Sequence, residues 1–134
     1  MDQKKQIEQL VLLCIDTAKE MLKEYKVIIP FGIRTFSDSE DMKMNCPGDK
    51  MPEGDNSKQV NNVVAELKEF IVNENVFATA FVTELESDGD FAIGLQIETE
   101  QSSVLFAYPY REQDDDWVID EPIQTVQLLT RVFE

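Results

Sequence analysis

The 134-residue chain has no histidine. That absence removes Ser-His-Asp and Cys-His nucleophilic catalysis, histidine zinc sites and imidazole acid–base work. Only two cysteines are present, Cys14 and Cys46, so no four-sulfur metal site can form within one chain. Their wide separation fits two free thiols in a reducing compartment, although a single disulfide is compatible with the count. Glycine-rich phosphate loops are missing: neither GxxxxGK[ST] nor GxGxxG occurs. No run of about 20 apolar residues exists, so no transmembrane helix is expected. The N-terminus, MDQKKQIEQLVLLCIDTAKEM, is charged and amphipathic and does not read as a signal peptide.

Positive charge is also scarce. Twelve basic residues face 27 acidic ones, for a net charge of −15 and a pI near 4.2. Such a surface repels nucleic acid and anionic membrane. It suits a basic protein partner, although acidity of this kind more often serves solubility alone. The 43% hydrophobic fraction supports one core, and the length suits a single domain over residues 1–134.

The clearest pattern lies between Phe77 and Tyr110. Phe91, Ile93, Leu95 and Ile97 alternate with Ala92, Gly94, Gln96 and Glu98, the period of a strand with one buried face. Val104, Phe106, Tyr108 and Tyr110 alternate in the same way. The run FATAFVTELE is apolar on both parities, as in a central strand covered on both sides or a strand whose small residues pack under a helix. Ser87-Asp88-Gly89-Asp90 supplies a tight hairpin turn, and the stretch reads as an antiparallel meander. Pro109 should end its strand or place it at an edge.

Upstream, Ile7, Leu10, Val11, Cys14, Ala18, Met21, Leu22 and Tyr25 trace a helix face over residues 3–25, with Asp2 as N-cap. Leu12, Leu13 and Ile15 widen the stripe, which predicts burial on more than one side. Val27 to Phe36 and Met42 to Cys46 form a strand hairpin beside the meander. Pro47 to Ser57 is a loop. Val60, Val63, Val64, Leu67, Phe70 and Ile71 mark a second helix over 57–74, capped by Asn56 or Ser57 with Gln59 in capping-box register. Trp117 to Asp120 reads as a further strand. Residues 121–134 fit a short helix or a strand with an irregular tail, and their threonine and valine content tips the balance to the latter. The expected fold is therefore α+β, two layers, with both helices on one face of a mostly antiparallel sheet of about five or six strands.

An amphipathic helix entering Ile29-Pro30-Phe31-Gly32, a second helix, and hairpins closing on Pro109-Tyr110-Arg111 resemble a group of small bacterial α+β proteins of unknown function. The likeness spans nearly the whole chain. Those relatives open the second hairpin strand with Asp-Ala-Ile, where this chain has Asp90-Phe91-Ala92-Ile93. The resemblance implies the same architecture and brings no catalytic residues.

Carboxylates are the remaining chemistry. Glu86 with Ser87-Asp88-Gly89-Asp90 has the composition for a hard cation such as Ca²⁺, but a hairpin turn needs the same residues and the spacing is not that of an EF-hand. Asp114, Asp115 and Asp116 read as a solvated turn. Met42, Met44 and Met51 either fill a core edge or form an adaptable surface. Phe31, Arg34, Tyr108, Tyr110 and Arg111 are the candidate binding residues: rings and guanidinium groups at strand ends that together suit a flat or anionic ligand, against a plain core reading.

These features lead to an expectation of a non-enzymatic acidic cytoplasmic binding protein. It would mask a basic protein in the manner of an immunity protein or secretion chaperone, with no metal and no cofactor. The alternative is a small-ligand binder or minor enzyme built on the aromatic–arginine cleft. A homodimer through edge strands is a third possibility.

Overall fold

A computed structural model describes residues 3–39, 41–46, 56–87 and 89–125. These residues form α1 (Gln3–Tyr25), β1 (Phe31–Phe36), β2 (Met42–Asn45), α2 (Asn56–Asn73), β3 (Val76–Ser87), β4 (Asp90–Thr99), β5 (Ser103–Gln113), β6 (Asp116–Ile119) and β7 (Ile123–Thr125). The fold is α+β. Its sheet is antiparallel throughout, in the order β2-β1-β3-β4-β5-β6, with β7 also paired to β5. The meander and both helices lie where their periodicity puts them, as does the preceding hairpin, except that its first strand begins at Phe31 rather than Val27. Among the described residues the sheet has seven strands, because β6 and β7 share β5, pairing with Tyr110–Gln113 and Leu105–Ala107 respectively.

α1 lies across one face of the sheet. Its Leu10, Cys14, Ala18, Met21 and Leu22 pack on Phe31 and Ile33 of β1, Ala78, Ala80 and Val82 of β3, and Ile93, Leu95 and Ile97 of β4. Small residues on β3 let the helix approach the central strand closely. Burial pushes the Cys14 thiol well above its ordinary pKa, so it behaves as a small apolar group. One polar side chain fixes the N-terminal end of α1: Gln6 donates to the Phe36 carbonyl at 3.1 Å and the Ser39 carbonyl at 3.2 Å.

The second helix departs from expectation. α2 packs on the opposite face, where Val63, Val64 and Leu67 meet Phe81. Phe81 pairs with Gly32 across β1–β3, and their neighbours Val82 and Phe31 point the other way, toward α1. The alternation of a strand explains the difference. FATAFV is apolar on both parities because each face meets its own helix. The α1–sheet sandwich makes the two-layer body, and α2 covers the β1–β3 end of its other face. Gly32 permits this contact: a Cβ there would lie 2.9 Å from Leu67 Cδ1 and 2.8 Å from Asn45 Oδ1.

Three turns explain local choices. Gly89, at φ 84°, sits in the two-residue loop joining Ser87 to its partner Asp90. Asp114 and Asp115, at φ 53° and 63°, form the two-residue β5–β6 loop, where both central residues of a type I′ turn require positive φ. Lys26, at φ 62°, ends α1, its N–H bonding the Leu22 carbonyl at 3.0 Å.

β5 does not end at Pro109. The Pro109 carbonyl accepts from Asp120 N at 2.8 Å, on the side away from β4. In an extended residue N and C=O point the same way, so the missing N–H also faces that side, in the gap between β6 and β7 pairing. The Asp2 cap, Met51, Asp88, most of the 47–57 loop, the capping side chains Asn56, Ser57 and Gln59, and the segment from Val126 lie outside the described residues. Within that ambiguous C-terminal stretch, Ile123–Thr125 is strand.

Candidate functional site

The structure does not assemble the aromatic–arginine cleft. Phe31 has no exposed surface and belongs to the α1 core. Arg34 is buried on the α2 face. Its Nε donates to Glu74 Oε1 at 2.6 Å, and its guanidinium lies 3.6 Å from the centroid of the Phe70 ring. That arrangement clamps β1 to the C-terminal end of α2. The hydrogen bond from Arg34 holds the Glu74 carboxyl below its ordinary pKa.

Arg111 is exposed, its Nη1 bonding both carboxylate oxygens of Asp120 at 3.1 and 2.8 Å. Following the pairing from Arg34 through Thr79 and Glu98 leads to Ser103 on β5. Arg111 lies further along that strand by about 27 Å at ~3.4 Å per residue. The two guanidinium groups therefore serve two separate ion pairs.

Tyr108 and Tyr110 do share the α1 face, both half-buried against its core, with Ile93 paired to Tyr108. Tyr110 donates its hydroxyl to Glu84 and meets the Trp117 ring edge-on at 5.8 Å between centroids. Burial, reinforced by that bond, raises its phenol pKa well above the ordinary value. Tyr108 is also raised, chiefly by burial. Neither tyrosine is activated as a base or nucleophile. Gly89 and the Asp114–Asp115 pair lie in tight turns, and no group of three or more Cys, Asp or Glu among the described residues converges on one point.

What stands open is a different place. Between α1 and the β4–β5 strands lies a groove of about 730 Å³. Ile7, Val11 and Leu12 form its helical wall; Ile97, Val104, Phe106 and Tyr108 form its floor; Pro122 closes the far rim. Its polar contributions are Glu8, Thr99 and Ser102, and no lysine or arginine lines it among the described residues. Leu12 is 64% exposed and Leu13 40%. Leu12 and Leu13 of the widened apolar stripe are therefore not buried on a second side, as expected from the sequence, but presented to solvent, whereas Ile15 is half-buried against the core under α1. The helix and the sheet diverge here because α1 runs from β1 and β3 across β4 toward β6. Among the described residues that leaves β5 less covered near Val104 and Phe106, both half-buried.

Of the five candidate residues, only Tyr108 borders this groove. The sequence signal for it was present in Leu12 and in the alternation of Val104 and Phe106. Both features look the same in a strand or helix that is simply buried. No protein-family model, curated protein or solved structure matches this chain. Among the described residues no helix is long and apolar enough to cross a membrane.

Proposed function

We propose that this chain is a non-enzymatic, acidic cytoplasmic binding protein that takes an apolar surface of a basic protein partner into the groove between α1 and β4–β5. The observation that carries the reading is the groove itself: an open, nearly all-apolar concavity on a molecule of net charge −15. Exposed apolar concavities of this kind mark binding surfaces. The surrounding negative field selects the sign of the partner and speeds its approach. Such a protein masks a basic surface as an immunity protein or chaperone does.

A second copy suits the groove poorly, because each chain brings the same negative charge to the contact. An anionic lipid or metabolite meets Glu8 at the rim and the same field beyond it.

The test is affinity capture from the source cell's lysate with the parent chain and with Leu12→Lys in parallel, eluted by a salt gradient. The expected result is a basic protein held by the parent, released by salt and depleted about tenfold on the variant, the scale of losing one buried anchor. A protein held equally by both chains, or no salt-released protein, overturns the reading.

A further inference from the structure

Both the floor and the wall of the groove have satisfied backbones, and this restricts the form of the occupant. β5 is paired with β4 along one side and with β6 and β7 along the other, so no strand can be added to it there. α1 is hydrogen-bonded internally. The lining offers few polar partners, namely Glu8, Thr99 and Ser102, all near one end. An extended peptide laid along the groove would take its N–H and C=O groups out of water without replacement, a cost of about 1–3 kcal/mol for each unpaired group. A helix carries its own backbone hydrogen bonds and presents only side chains.

The dimensions agree. From Ser102 to Tyr108 the floor runs about 20 Å at ~3.4 Å per residue, enough for roughly three to four helical turns of 5.4 Å. On α1, Glu8, Leu12 and Asp16 lie on one stripe at successive turns, so a carboxylate flanks the exposed leucine on either side. Exposed Glu121 stands beside Pro122 on the opposite rim.

We infer that the groove receives an amphipathic α-helix of the partner. Leucine-like side chains spaced i, i+3, i+4, i+7 face Val11, Leu12, Val104 and Phe106, and lysine or arginine at the helix margins faces Glu8, Asp16 and Glu121. This deepens the reading proposed above and rests on it. A helix so placed would turn the α1–sheet layer into a helix pair on one sheet face, completing the cover that α1 leaves unfinished over β5.

The experiment uses the full chain, labelled with ¹⁵N, and two synthetic Leu/Lys peptides of identical composition and about 18 residues, five helical turns. One carries the amphipathic pattern with a proline at its first residue, where a helix tolerates it, and the other is scrambled with the same proline at its centre, so that composition is held. The expected result is that only the amphipathic peptide shifts the amides of Val11, Leu12, Val104 and Phe106, and that Leu12→Lys weakens it about tenfold. Leu12 is exposed, so this variant folds, and unchanged amide positions outside the groove verify that. Equal binding of the broken peptide at the same amides overturns the helical inference and leaves the groove reading standing. Absence of groove shifts with either peptide overturns both. Groove shifts on concentrating the chain alone assign the site to a second copy, and shifts only with monomeric octyl glucoside assign it to a small apolar ligand; each overturns the inference.

Discussion

At the scale of single residues, the charged groups divide into those that hold the fold and those that decorate it. Arg34 is the clearest of the first kind, sandwiched between the Glu74 carboxylate and the Phe70 ring. Because Glu74 is held below the ordinary carboxylate range, the folded state keeps this site unprotonated at a pH where the unfolded chain begins to bind a proton. The pair's contribution is therefore complete above an ordinary carboxylate pKa of about 4.3 and is lost as the pH falls through the lowered value. Glu74→Gln is expected to be less stable than the parent near neutrality, with the two denaturation midpoints converging as the pH drops below about 4. A gap that stays constant with pH would mean the pair is not formed. Asp115 illustrates the second kind. Its positive φ suits glycine better, so Asp115→Gly is expected to raise stability by about 0.5–1 kcal/mol in urea unfolding. A loss instead would show that the aspartate run has a role beyond the turn.

At the scale of elements, the strands and helices were legible because their patterns are long: period two in Phe91–Ile97, period 3.6 in Ile7–Leu22. What periodicity does not state is which face an element meets. The doubly apolar FATAFV carried that information, since a strand buried on both faces needs two covers, and α2 supplies the second. Gly32 is the position on which this placement turns. Gly32→Val would press on Leu67 and Asn45, and it is expected to cost about 1–3 kcal/mol by chemical denaturation. Tolerance of the valine would place α2 further from β1 than described. The candidate site was less legible than the fold. Arg34 and Arg111 look alike in sequence, each beside aromatics and a proline, yet pairing register separates them along the sheet. Leu12 and Leu13 read as extra core because an apolar residue on a helix does not declare what, if anything, covers it.

At the scale of the whole molecule, an excess of 15 negative charges surrounds the open apolar groove beside α1. The charge acts at long range and the groove at contact, so their effects separate experimentally. Raising salt from 0.05 to 0.5 M, which shortens the screening length severalfold, is expected to slow association with the basic partner about tenfold or more while changing dissociation little. Leu12→Lys is expected to act mainly on dissociation, and its folding stability should stay within about 0.5 kcal/mol of the parent because the side chain is exposed. A salt-insensitive association rate would remove the role given to the charge.

The most direct measurement is photo-crosslinking in the cell of origin, with a benzoylphenylalanine placed at Leu12 in the groove or at Val72, which is 82% exposed on α2 across the sheet. The account predicts an adduct with a basic protein from position 12 and none from position 72. No adduct at position 12, or the same adducts from both positions, would contradict it.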